Sequence, residues 1–181
     1  ASVSSASLDT ANYNVAFDYY DKGDCDNAIK NFTKYVQKYP DGIFLTDAVY
    51  YKADCDFKNK NYDAALNGYN YVIEKSHTQF TELSLLRASW INYNNKNYQV
   101  ALPQYTRLAE TAEYPANSNE GRMGEMRCNQ ELKNYEAASE SAKKVLILEK
   151  ISNEVKAEAH VIIGKEAIEK ASYDEAITEF S

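Results

Sequence analysis

The feature that most restricts the folds open to this chain is a short block that returns five times. A cysteine or tyrosine is followed three positions later by alanine: Cys25 and Ala28, Tyr62 and Ala65, Tyr98 and Ala101, Tyr135 and Ala138, Tyr173 and Ala176. The steps between blocks are 37, 36, 37 and 38 residues. Four residues after each alanine comes a ring, at Phe32, Tyr69, Tyr105 and Phe180, with Ala142 the small exception. A fixed period of this length means one supersecondary unit that buries its apolar face only by stacking on its neighbours.

Each block reads as the start of an amphipathic helix. The residue before it is Asp24, Asn61, Asn97, Asn134 or Ser172, all favoured N-caps whose side-chain oxygen can accept an orphaned backbone N–H. The residue after the cysteine or tyrosine is acidic in four cases, Asp26, Asp63, Glu136 and Asp174, which suits the positive end of the helix dipole. A second helix precedes each cap. Nine residues back stands Ala16, Ala53, Ser89, Met126 or Gly164, and four of these five are small enough for a close helix crossing. Twelve back stands Tyr13, Tyr50, Leu86, Met123 or Val161, and five back Tyr20, Phe57, Tyr93, Gln130 or Ile168. Short turns such as Lys22-Gly23-Asp24 join the two helices. The expectation is an all-α chain of about five helical hairpins. Pro103, inside its helix, is expected to kink it locally.

Ala16, Tyr20, Gly23, Asp24, Cys25, Ala28, Phe32, Tyr39 and Pro40 in order resemble the tetratricopeptide-repeat (TPR) pattern, and the resemblance spans about residues 9 to 181. The Tyr39-Pro40 and Tyr114-Pro115 endings resemble the long-repeat type of bacterial envelope proteins, such as the Tol-Pal coordinator and the outer-membrane assembly lipoprotein. The resemblance implies an α-solenoid forming a curved right-handed superhelix. Residues 1–8 would be disordered or linker. Repeats would run about 9–40, 43–76, 78–114, 117–150 and 153–181, the last incomplete and the chain part of a longer protein. The period exceeds the usual 34, and repeat four is weak, with Met126 for the small residue and Ala142 for the ring.

In this family the first helix of each pair lines a concave surface that holds protein segments. The matching positions here are Tyr13, Phe17 and Tyr20, then Tyr50, Asp54 and Phe57, then Leu86, Trp90 and Tyr93, with Arg127 in repeat four and Lys165 in repeat five. The implied groove is aromatic in three repeats and cationic in two, with Asp54, Arg127 and Lys165 as specificity residues. The same rings could instead pack between hairpins. The family's carboxylate clamp is not expected, because Tyr13 and Phe17 stand where it needs lysine and asparagine. The function implied is a non-enzymatic scaffold for a peptide or protein partner. Alternatives are a purely structural or self-association module, or a groove for a glycan or small molecule. The location implied is periplasmic or outer-membrane-associated, the alternative cytoplasmic.

The rest of the sequence offers little chemistry. A net charge of −7 argues against nucleic acid as partner, and no apolar run reaches the roughly 20 residues that span a bilayer. His77 and His160, the two histidines, stand apart from any metal-ligand spacing, so no cofactor and no metal are expected. Cys25, Cys55 and Cys128 form no disulfide framework. Cys55 and Cys128 share one motif position two repeats apart, and all three thiols are expected to be free.

Overall fold

The computed structural model of the chain describes residues 5–75 and 77–179. Those residues form helices and connecting turns, with no strand among them. The helices are α1 (Ser5–Asp21), α2 (Cys25–Lys38), α3 (Leu45–Lys58), α4 (Tyr62–Glu74), α5 (Thr81–Asn94), α6 (Tyr98–Thr111), α7 (Pro115–Glu131), α8 (Tyr135–Leu146) and α9 (Asn153–Glu179). They divide into two compact units, residues 1–91 and 92–181, with the boundary inside α5.

Four of the five cap positions open a helix as expected, but by another route. Only Asp24 caps with its side chain, Oδ1 accepting from the Asn27 N–H at 3.2 Å. Asn61, Asn97 and Asn134 make no side-chain cap bond. Their backbone N–H groups instead close the preceding helix, donating to the carbonyls of Asp56, Asn92 and Asn129 at 2.8–2.9 Å, as Asp24 does to Tyr19. The residue before each is left-handed: Gly23 at φ 75°, Lys60 at 63°, Lys96 and Lys133 at 60°. This is the Schellman closure, which satisfies the last carbonyls of the first helix and turns the chain into the second.

The fifth cap position opens nothing. The helix α9 runs unbroken through Ser172 to Glu179. At the left-handed position of the other turns it carries Ala171, the strongest helix former. The expected fifth hairpin is therefore one long helix here, and Phe180 lies outside the described residues. At the other end α1 is helical from Ser5, so residues 5–8 are not linker. The helix α6 continues through Pro103.

In unit one, α1 packs on α2, α2 on α3 and α3 on α4. Tyr13, Ala16, Ala28, Phe32, Tyr35, Ala48 and Cys55 form one buried cluster, and Tyr50, Ala53, Ala65, Tyr69, Val72, Phe80, Ala88 and Ile91 a second. The Tyr35 hydroxyl donates to the buried carboxylate of Asp9 and accepts the Phe44 N–H at 3.3 Å, while Asp9 accepts the Ile43 N–H at 3.2 Å. That network pins the loop between α2 and α3. In unit two, Gly121 and Gly124 bring α7 so close to α6 that an added Cβ would meet the Ala109 backbone at 2.4 Å and the Tyr105 ring at 2.3 Å. The two exceptions of repeat four compensate each other: Met126 and Ala142 lie fully buried in one cluster, a large residue for a small one and the reverse.

The cysteine expectation is overturned. Cys25 and Cys55 are joined by a disulfide, with Cα atoms 5.0 Å apart, inside the usual range for a bridge. Cys25 opens the second helix of one hairpin, and that helix packs directly on α3, which carries Cys55. Two repeats separate Cys55 from Cys128, but none separates Cys25 from Cys55. At the same motif positions the other interfaces place Tyr62 and Ile91, or Tyr98 and Cys128. A covalent bond thus stands where neighbouring repeats use a ring. Cys128 is buried and free, its thiol pushed up to about 12 by burial.

Two outcomes follow for solution work. Unfolded without reductant, the protein will titrate one thiol, and after reduction three. The bond closes a loop with a sequence separation of 30 residues, so reduction will lower unfolding stability by about 3–4 kcal/mol on the chain-entropy account. Replacing Lys60, Lys96 or Lys133 by glycine will raise stability by about 0.5–1 kcal/mol each in urea unfolding, since glycine removes the left-handed penalty and returns part of it as chain entropy.

Candidate functional site

The first helices of unit one, α1, α3 and the start of α5, carry the expected groove positions. They do not form a uniform open face. Tyr13 and Tyr50 are buried, at 8% and 7% exposure. Tyr13 stacks on Phe44 at 4.4 Å between centroids, and Tyr50 stacks on Phe80 at 4.2 Å. Each pair joins a first helix to the residue leading into the next one, so these rings set the spacing of repeats. Phe17 is half-buried, 5.9 Å from Tyr13 and from Tyr20 and edge-on to Tyr51 at 5.0 Å.

Tyr51, not foreseen, is the hub of this array. Its ring meets those of Phe17, Tyr20, Phe32, Tyr50 and Phe80 at 4.6–6.2 Å. The doubled Tyr50-Tyr51 was the available signal, since both residues of such a pair on a half-buried helix can reach packed surroundings. Asp54 is already engaged. It accepts from the Tyr20 hydroxyl at 2.8 Å and pairs with the Lys58 ammonium at 2.7 Å, and that ammonium lies 4.5 Å above the Tyr20 ring. It holds α1 to α3 and is not an open acceptor.

The exposed part lies farther along. Trp90 is 41% exposed and stands edge-on to Phe57 at 5.6 Å and to Tyr62 at 5.5 Å. The exposed Arg87 lays its guanidinium 4.5 Å over the Phe57 ring, and Leu86 is half-buried beside it in sequence. Arg87 lies one helical turn before Trp90, at a position the motif comparison did not sample. The result is a propped indole beside a stacked cation on a floor of rings. Such a surface offers large rigid contact area at low entropy cost.

In unit two the expected cationic positions divide. Arg127 forms a bidentate pair with Glu158 on α9, Nε to Oε1 at 2.9 Å and Nη2 to Oε2 at 2.8 Å. It ties α7 to α9. Lys165 is exposed on α9. Tyr93 is half-buried, edge-on to Tyr98 at 5.3 Å and to Tyr105 at 6.5 Å.

Elsewhere in unit one an apolar cavity of about 530 Å³ lies between α2, α3 and α4, lined among others by Val36, Leu45, Val49, Gly68 and Tyr71. Among the described residues no group of three or more His, Cys, Asp or Glu is placed to hold a metal ion. Among the described residues no helix is long and apolar enough to cross a membrane.

Residues 10–42 match the family model described as tetratricopeptide repeat. No curated protein matches the chain. Among solved structures, the chain is similar to a tetratricopeptide repeat protein from Parabacteroides merdae, at 20% identity and a TM-score of 0.66, covering 92% of this chain and 62% of that one. It is also similar to MamA protein, at 15% identity and a TM-score of 0.63, covering 95% of this chain and 87% of that one. The chain thus spans about three fifths of the length of the Parabacteroides protein. At these identities the likeness is one of fold.

Burial disfavours ionisation of the tyrosines that build this array and so raises their pKa values. It pushes Tyr50 up to about 12, and Tyr13, Tyr20, Tyr35 and Tyr69 still further above the ordinary 10. A raised folded pKa means that the unfolded chain loses its protons first. Stability is therefore fully present below about pH 10 and falls as pH climbs from there through 12. Tyrosinate absorbance at 295 nm will rise in two stages, the exposed rings first and the array together with unfolding. A single smooth titration centred near 10 would contradict the buried array.

Proposed function

We propose that the chain is a tetratricopeptide-repeat protein, and that it is a non-enzymatic scaffold that holds a peptide or protein segment on the first-helix face of unit one. The observation that carries this reading is Trp90. A solvent-facing indole costs exposed apolar area, and here it is held in place by Phe57 and Tyr62 and not folded into the core. With Arg87 it makes a contact area of the residue types that dominate binding hot spots. Tyr13, Tyr20, Tyr50 and Asp54 serve this surface by fixing α1 and α3.

The disulfide bears on location. A bridge between Cys25 and Cys55 suits an oxidising compartment. Together with the resemblance to envelope proteins, that favours a periplasmic or outer-membrane-associated place for the chain.

Peptides selected from a random displayed library against the folded chain provide the probe. Trp90→Ala should weaken their binding by about 2 kcal/mol or more, the scale of a hot spot. It should cost the fold about 1 kcal/mol, against roughly 3–5 kcal/mol for a ring removed from a core. Selected peptides that bind Trp90→Ala as tightly as the parent would sink the assignment of this surface.

A further inference from the structure

We propose that Arg87 selects the segment held at Trp90, and that this segment carries a side-chain carboxylate two positions from an aromatic or large aliphatic residue. The inference rests on the reading of the Trp90 surface given above and names the chemistry recognised there.

The place that Trp90 takes on α5 is already engaged in the other first helices of matching motif. Counted from the small residue of each crossing, Trp90 stands one after Ser89, and Phe17, Asp54 and Arg127 stand at the same point. Phe17 packs on Tyr13, Tyr20 and Tyr51. Asp54 is taken by the Tyr20 hydroxyl and the Lys58 ammonium, and Arg127 by Glu158. Arg87 stands two before Ser89, where α3 carries Tyr51 in the middle of its ring array. On α5 both places are exposed, and they hold a cation and an indole.

Arg87 has a ring beneath it and no counter-ion. Its guanidinium lies 4.5 Å over Phe57, and no carboxylate among the described residues pairs with it. The acidic groups nearest at hand are turned away or spent. Glu82 stands five residues earlier on α5, about 140° round the helix at 3.6 residues per turn. Asp54 on α3 is neutralised by Lys58. The net charge of −7 belongs to the whole chain, and charges more than a Debye length away, about 8 Å in physiological salt, count for little. A guanidinium stacked on a ring keeps its N–H edge for a planar acceptor, and a carboxylate takes two of those donors at once.

The spacing sets the rest of the preference. Arg87 and Trp90 are three residues apart on one helix, which puts their Cβ atoms about 5–6 Å from each other. In an extended segment alternate residues face the same way, about 6.5 Å apart. An acidic residue and an apolar one, separated by a single residue in either chain direction, therefore meet the guanidinium and the indole together.

The test uses peptides selected from the random displayed library against the folded chain. They should carry Asp or Glu two positions from Trp, Tyr, Phe, Leu or Ile. Replacing that acid by its amide in a synthetic peptide should weaken binding to the parent chain at least fivefold. The same replacement should cost Arg87→Gln less than twofold, because the partner is gone, while far-UV circular dichroism of that variant keeps its helical signal. Selected peptides without the acid, or an acid-to-amide change that costs the parent nothing or costs both chains alike, would overturn the role of Arg87 and leave the Trp90 surface standing. The peptide-side change decides the matter on the parent chain even where Arg87→Gln does not fold. Binding that survives Trp90→Ala intact would overturn both readings.

Discussion

Two helices can lie only as close as the residues between them allow, and the packing of α1 on α2, α3 on α4 and α6 on α7 depends on that limit. Ala16 with Ala28, and Ala53 with Ala65 and Gly68, remove side-chain bulk at the crossings of unit one. Gly121 and Gly124 do the same where α7 meets α6. Once the backbones approach, the large rings have nowhere to go but outward to the next repeat. Hence Tyr13 reaches Phe44, Tyr50 reaches Phe80, and repeat spacing is set by stacked aromatics and not by loops. Apolar burial supplies the main favourable term. The small residues decide where it can be collected.

Much of this was legible in order. A block with fixed period, a cap before it and a small residue nine positions back place α1 to α8 without any structure. What periodicity could not distinguish was the reason for the polar residue at each turn. Asn61, Asn97 and Asn134 looked like side-chain caps, yet their backbone does the work, because the left-handed residue before each aims that N–H at the previous helix. The same pattern matched Ser172, where Ala171 lacks the turn. A motif recorded the residue types, while the backbone angle decided the outcome.

The candidate surface was less legible, for a physical reason. Motif positions say which way a residue faces, but not whether another side chain already meets it there. Asp54 is neutralised by Lys58 one turn on in the same helix, a pairing the i,i+4 spacing offered, whereas Arg127 is neutralised by Glu158 across helices, which no local spacing reveals. Tyr51 and Arg87 were passed over because each stands off the sampled register. The cysteines failed differently. Comparing equivalent positions kept Cys55 and Cys128 apart correctly, but the contact that matters joins unlike positions on adjacent helices.

The bond between Cys25 and Cys55 has one more effect. It makes the stretch from the start of α2 to the end of α3 a covalent ring that includes the loop of residues 39–44. That loop is the irregular backbone within the ring, where a protease could enter. A single cut there would open the ring without dividing the molecule, because the two pieces stay joined through sulfur. The stacked Tyr13 and Phe44, on opposite sides of such a cut, would still be held within reach of each other. Cleavage that would detach the first repeat from an ordinary stack would leave this one assembled.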